Sequence, residues 1–330
     1  MNIQTEAIKH EPGKAGFFKK ITQAREFMVF LIVIGVALVL SFATPYFLTE
    51  TNLLAVLLGL SVEAIIACGM TLIIITGGID LSVGSTVALT GAVTAYCIKA
   101  GIPIIIGILA GLITGIIVGI IIGLMHAKLG INAFIITLGM MNIGRGLTLL
   151  TVGGLNIANL PKEFTVIGQG KLVGIQYPII IMIILIIIGD IVLRRSRFFR
   201  QNYYIGNNEK AAALSGINVK KMKIINFAIC GGLAALAGIL MTARLASATA
   251  TAGTGMEFKV ITAVILGGAS LSGGEGSIFG AFLGSLLMGL ISNGLNLLGV
   301  DVYWQTFILG VVLLIAVVID NLKVMKKAKE

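Results

Sequence analysis

A chain of 330 residues that is 57% hydrophobic and only 12% charged does not have the composition of a water-soluble protein, in which about a quarter of residues are charged. Its mean hydropathy of +1.06 and several nearly charge-free runs point to helices that cross a bilayer. The net charge of +10 would suggest a nucleic acid in a soluble chain. Here the cations gather in three clusters, as the positive-inside rule requires of cytoplasmic segments, so no nucleic acid partner is expected.

The first cluster is Lys9, Lys14, Lys19, Lys20 and Arg25, in an arm over residues 1–26. The charged stretch is too long for a signal peptide, and the apolar run behind it reads as an anchor. Phe17, Phe18 and Ile21 suit either a helix lying along the inner surface or a solvated arm. With the N-terminus inside, apolar runs over about 27–43, 53–76, 84–98, 104–125, 133–151 and 177–193 make six crossings. They return the chain to a second basic cluster, Arg194, Arg195, Arg197, Arg200, Lys210, Lys220, Lys221 and Lys223. Runs over about 225–246, 258–268, 277–298 and 303–320 make four more. These bring the tail, 323–330 with Lys323, Lys326, Lys327 and Lys329, back inside. The expected fold is therefore an all-α polytopic bundle of about ten segments, a single transmembrane domain over about 27–322, with both termini cytoplasmic. The segments at 84–98 and 258–268 are short for a bilayer and read as broken or re-entrant elements.

The first short segment follows "IIITGGIDLSVGS", which places Gly77, Gly78, Asp80 and Ser82 among apolar residues. A charge at bilayer depth is costly, so Asp80 must pair with something or face water. The paired glycines before it suggest a helix end, which favours Asp80 as a cap of the next helix. Contact with a solute and an ion relay remain alternatives. A second string, "GGASLSGGEGS" with Gly267 and Gly268, echoes the first but lacks the acid. Glycine-interrupted repeats of this kind mark the translocation region of transporters.

Glu63, Arg145, Arg244 and Glu257 also lie in or beside apolar runs, the arginines as expected anchors or ion-pair partners. Asn293 and Asn296 share a helix face and would bind either a hydroxylated solute or, more simply, a neighbouring helix. Cys68, Cys97 and Cys230 show no metal-ligand spacing, and there are only two histidines. No phosphate-binding GxxxxGK[ST] string is present, so the chain is not expected to hydrolyse ATP itself, nor to carry a catalytic residue, a metal or a cofactor.

In the central basic loop, Asn207 or Asn208 is a good N-cap, "EKAAAL" a good short helix with Glu209 at its positive end, and Gly216 a natural stop. This predicts a short cytoplasmic helix with its small residues, Ala211 and Ala212 among them, exposed; it suits either insertion into another protein's groove or an ordinary connection.

The strings "GMTLIIITGGIDLSVGS", "AFIITLGMMNIGRGLTLL", "NNEKAAALSGINVKK", "CGGLAALAGILMTARLASATATAGTG", "VILGGASLSGGEGSIFGAFLG" and "NGLNLLGVDVYWQ" resemble the ribose-type sugar permease family, the membrane subunits of bacterial ABC importers. The resemblance runs from about Phe27 to Asp320 and leans toward the ribose branch. It implies a multi-pass protein of the bacterial cell membrane that moves a monosaccharide inward by alternating access. It implies a second permease subunit, with a homodimer the expected form, a pair of cytoplasmic ATPases that hydrolyse the ATP, and an extracytoplasmic sugar-binding protein received by the polar segment 153–176. The helix at 207–217 would couple to the ATPase. The family's coupling string carries its acid one residue later than Glu209, which puts that contact in doubt. A permease for another sugar, a nucleoside or a branched-chain amino acid, and an ion-coupled secondary transporter, are the alternatives.

Overall fold

A computed structural model describes residues 25–327. Lys9, Lys14, Lys19, Lys20 and Lys329, and with them the surface reading of residues 13–24, lie outside the described residues. The chain forms α1 (Arg25–Ala43), α2 (Glu50–Ile75), α3 (Val83–Lys99), α4 (Ile104–Leu129), α5 (Ala133–Val152), α6 (Lys162–Gln169), α7 (Tyr177–Arg195), α8 (Gln201–Asn207), α9 (Glu209–Leu214), α10 (Val219–Leu245), α11 (Met256–Leu266), α12 (Ile278–Leu297) and α13 (Val302–Lys327). Between α6 and α7 sits a small hairpin, β1 (Lys171–Leu172) and β2 (Ile175–Gln176), paired antiparallel. Its turn residues Val173 and Gly174 both have positive φ, as a tight hairpin of this hand demands.

Eight of these helices are long and apolar enough to cross a membrane: α1, α2, α4, α5, α7, α10, α12 and α13. They divide by burial. α2, α10 and α12 are buried over more than half their apolar length, whereas very little of α13 is buried. The first three form the centre of the bundle, and α1, α4, α5, α7 and α13 present apolar surface outward, as lipid requires. The main core joins Ile65, Ile66, Met70, Ile73 and Ile74 of α2 to Phe227, Cys230 and Ala234 of α10 and to Leu287 of α12.

Glycine spacing explains the closest packing. Gly107, Gly111, Gly115, Gly119 and Gly123 fall every fourth residue along one buried face of α4. A side chain at Gly115 would strike Gly231 and Ala235 of α10, and one at Gly119 would strike the Phe227 backbone. Between apolar helices in lipid, such stripes bring backbones into van der Waals contact, which is the main attraction available there.

α3 and α11 are shorter, and both start inside the bundle. α3 runs parallel to α10, with Val87 against Gly238 and Gly91 against Thr242. Its first turn is thus held near mid-depth, where Gly84 lies directly against Gly253 and Glu257. α11 starts at the same level, since Lys259 in its first turn reaches Glu63 at the midpoint of α2. Each short helix is preceded inside the bundle by irregular chain, residues 76–82 in one case and 246–255 in the other. Irregular backbone survives at membrane depth only when protein satisfies its polar groups.

Candidate translocation and coupling site

The two glycine strings end their helices in the same way but one residue apart. α2 stops at Ile75, and Gly77 (φ 78°) takes the left-handed position. The Gly77 and Gly78 N–H groups donate to Ile74 and Ile73 carbonyls at 2.9 and 3.0 Å. α11 stops at Leu266, and there the second glycine of the pair, Gly268 (φ 98°), is left-handed. The Gly268 and Ala269 N–H groups donate to Ile265 and Val264. Both are two-bond C-terminal stops that need a glycine without a Cβ penalty. Gly267 serves packing instead, because a Cβ there would strike Gly280 of α12.

In the first loop the Asp80 carboxylate is buried, and its Oδ1 accepts from the Ser82 N–H at 2.8 Å and the Ser82 hydroxyl at 2.6 Å. It closes the turn that launches α3, beside that helix's positive end. In the second loop Ser270 stands at the matching position and its Oγ accepts from the Ser272 N–H at 3.3 Å. The missing acid is supplied from elsewhere: Asp320 of α13 accepts from the Ser270 hydroxyl at 3.2 Å and the Leu271 N–H at 3.0 Å.

The second loop is longer and touches more. The Gly274 N–H donates to the Ile75 carbonyl, the last residue of α2, at 2.8 Å. Gly206 of α8 is wedged against the same carbonyl and against Gly274, with no room for a Cβ. The Tyr203 hydroxyl donates to the Gly276 carbonyl at 2.9 Å. Burial raises the Tyr203 phenol above its ordinary value, so it stays a donor at neutral pH. Ser277 caps α12 through the Gly280 N–H at 3.0 Å and donates to Glu26. Arg194 pairs with Glu26 and, at 2.6 Å, with Asp190, whose other oxygen accepts from Phe279 N–H at the start of α12. The ends of α1, α2, α7, α8 and α12 thus meet on one loop.

The short helix expected over 207–217 is α9, and Asn208 is its cap, accepting from Ala211 N–H at 2.9 Å; α8 ends just before it at Asn207. Asn207 is exposed and its amide donates back to Tyr203 carbonyl. Gly216 (φ 85°) stops α9, with Gly216 and Ile217 N–H groups bound to Ala213 and Ala212. Glu209 pairs with Lys223 at 2.8 Å, an intrachain role for the displaced acid. One expectation is corrected. Ala211 is exposed, but Ala212 is buried in a small cluster with Ile205, Val219 and Met222. α9 must rest one face on α10, and Ala212 is on it. The outward surface is Tyr204, Lys210, Ala211, Ala213 and Leu214, the last 90% exposed.

Asn293 and Asn296 bind neighbouring helices, α2 and α13, the simpler of the two readings. Asn293 and Asn52 exchange amide hydrogen bonds at 2.8 and 3.1 Å, and Asn296 accepts from Gln305. Both still line a cavity of about 300 Å³ between α2 and α12, with Glu63 and Lys259. Asp80 and Ser82 are not on it. The two arginines tie loops down: Arg145 donates to the Ala250 and Ala252 carbonyls at 2.9 and 2.6 Å, and Arg244 to Leu58 carbonyl at 3.0 Å. Glu257 is buried beside Gly84, and its Oε2 has no hydrogen-bond partner among the described residues. Lys259, Asp320 and Tyr203 were missed by sequence reasoning. A lysine three residues into a short apolar helix, and an acid closing the last span, were the available signals. Among the described residues no group of three or more His, Cys, Asp or Glu side chains is placed to hold a metal.

Residues 52–317 match the family described as branched-chain amino acid transport system / permease component. The chain is 44% identical over 316 residues to the ribose import permease protein of Escherichia coli (strain K12), covering 94% of this chain and 98% of that one. It is 42% identical over 324 residues to the ribose import permease protein of Bacillus subtilis (strain 168), covering 97% and 99%. It is 37% identical over 294 residues to the D-allose transport system permease protein of Escherichia coli (strain K12), covering 89% and 90%. No solved structure matches.

Proposed function

The chain belongs to the branched-chain amino acid transport system / permease component family, as a multi-pass membrane permease subunit of an ABC sugar importer, and from that membership we propose a ribose-carrying subunit with a defined coupling surface. The end of the bundle that carries residues 76–82, 194–224 and 267–277 faces the cytoplasm. The basic loop there supports this orientation. The chain works as one of two permease subunits, a homodimer, with cytoplasmic ATPases that hydrolyse the ATP. An extracytoplasmic binding protein delivers the sugar to the opposite end, where residues 153–176 lie.

The observation that carries the reading is the junction beneath α8 and α9. Their outward face, with Tyr204 and Leu214 exposed, is where an ATPase would push. Gly206 and Tyr203, on the same short helix as Tyr204, touch the end of α2 and the second glycine loop. A displacement at the surface is thereby passed to both broken elements without a flexible link. This is a packed route of the kind that transmits small shifts between two arrangements.

The test is reconstitution of the chain with its ATPase and binding protein in proteoliposomes. ATP-dependent uptake of labelled ribose is expected, with D-allose a weaker competitor. Leu214→Glu is expected to lose ATPase co-purification and uptake while the chain stays folded, because nothing inside the bundle touches that side chain. Retained co-purification would refute the coupling surface; uptake of no sugar would refute the importer reading.

A further inference from the structure

The mid-depth ion pair of α2 and α11 lies apart from the coupling junction. Glu63 Oε1 lies 3.3 Å from Lys259 Nζ, with side-chain exposures of 15% and 38%. A pair of charges at the midpoint of a crossing is expensive in lipid and is tolerated where water reaches it. The structure provides that space. Ala55, Gly59 and Glu63 recur on one face of α2, and Ser292, Asn293 and Asn296 face them from α12. The cavity of about 300 Å³ between them is at the small end for a ligand site. The Asn52–Asn293 pair stands near the start of α2, at its rim, and the ion pair forms its floor. Gly59 opens the wall, since nothing lies within 4 Å of where its Cβ would be.

Lys259 also lines a second cavity of about 320 Å³ between α11, α12 and α13, with Thr254, Thr262 and Thr306. Among the described residues it is the one that lines both. The first turn of α11, already a broken element, therefore stands between the polar cavity and a second one lined mainly by apolar side chains, Phe258, Met288, Leu309 and Leu313 among them.

We propose that the α2–α12 cavity is an outer-half subsite for an uncharged, hydroxyl-rich solute, and that the Glu63–Lys259 pair is its floor and gate. The inference rests on the importer reading for direction and solute class. The chemistry is carried by the lining. A carboxylate, an ammonium, two carboxamides and a hydroxyl offer both donors and acceptors, which is what a polyol's hydroxyls need. The charges cancel, so the site has no net pull on an ion. Opening the pair lets each charged group take a solute hydroxyl in exchange for its partner.

The test uses the full complex in proteoliposomes, with Gly59→Cys in a chain whose Cys68, Cys97 and Cys230 are replaced by alanine. A membrane-impermeant cationic methanethiosulfonate is expected to label the introduced thiol from the binding-protein side. Ribose supplied during turnover is expected to slow that labelling about threefold. Glu63→Gln and Lys259→Met are each expected to cut uptake about tenfold, because a half-buried pair at mid-depth that loses one partner leaves the other charge unmatched. The swap Glu63→Lys with Lys259→Glu should recover uptake in part and should restore sugar protection of the introduced thiol, which a merely structural pair would not control. If the complex carries ribose while that thiol is unreactive, or reactive but indifferent to sugar, the inference is overturned and the importer reading stands. If ribose is not carried but another monosaccharide protects the thiol, the subsite stands and the ribose assignment falls. Cross-linking of the thiol to a second permease copy, with no reagent access, would mark the groove as a contact between subunits and overturn the subsite.

Discussion

The two glycine loops share a string, a helix stop and a turn, yet they are anchored by opposite means. The first loop is closed mainly from within: Asp80 and Ser82 fasten it within the span of three residues, and α5 adds one long bond, from the Thr137 hydroxyl to the Ile79 carbonyl at 3.4 Å. The second loop is dependent. Its acid comes from Asp320, 50 residues away along the chain, and its glycines are pressed by Gly206, Tyr203 and the end of α2. A loop held by local bonds is stiff and moves as a body. A loop held by bonds from four other helices, α1, α2, α8 and α13, registers their relative positions. The first therefore suits a fixed frame for the half-helix α3, and the second suits the moving part of a coupled transporter.

The largest expected effect attacks the contact where the second loop meets the end of α2. Gly206→Leu forces a side chain into the Ile75 carbonyl and Gly274 backbone, which cannot withdraw as a flexible side chain would. Overpacking of this kind costs about 3 kcal/mol. Uptake should be abolished and the melting temperature of the purified chain lowered. Uptake at the level of the native chain would show that the junction does not constrain the second loop.

Next come the two acids. Asp80→Ala strands a buried N–H and a buried hydroxyl and should cost about 2–3 kcal/mol. Asp320→Ala should cost less, about 1–2 kcal/mol, because the Leu271 N–H it leaves is only part-buried. The comparison makes a sharper demand. Ser270→Asp places the acid where the first loop has it, so it should rescue Asp320→Ala and should not rescue Asp80→Ala. Thermal unfolding in detergent reads all four variants; equal losses without rescue would break the equivalence of the loops.

Sequence carried the shared features well because they are local. Paired glycines, a following Leu-Ser and a short apolar run reveal a helix stop wherever they occur, and both stops were found. Asn208 and Gly216 were legible for the same reason, since caps depend on a residue and its immediate neighbours. Asp320 was not legible as the second loop's acid, because its partner is 50 positions distant and the span around it looks like any other. Lys259 was hidden by its surroundings: an apolar helix of 11 residues reads as a short span until its start is placed opposite Glu63. Ala212 was misjudged because a six-residue helix cannot say which side rests on its neighbour.

A smaller effect tests whether the second loop's outside bonds carry signal as well as stability. Tyr203→Phe removes one half-buried hydroxyl bond, worth about 1 kcal/mol. The phenyl ring remains, so folding should be nearly unchanged. If the loop follows α8, the sugar moved per ATP hydrolysed should fall while the ATPase rate stays near native. An unchanged ratio would assign the bond to stability alone.

The smallest effect is expected at Glu209, and it separates surface from junction. Its pair with Lys223 is short at 2.8 Å, but the Glu209 side chain is 56% exposed, and exposed pairs of this kind contribute about 0.2–1 kcal/mol. Glu209→Gln keeps a hydrogen-bond acceptor beside Lys223 and keeps Asn208 as the cap of α9. Stability, ATPase binding and uptake should all stay within about twofold of native, since about 0.4 kcal/mol is all that such a change moves. A large loss of ATPase binding with stability intact would mean that the acid reaches the partner protein directly. The coupling surface would then extend from Leu214 across the N-terminal turn of α9, and the second loop would be driven from a wider base than the junction at Gly206 requires.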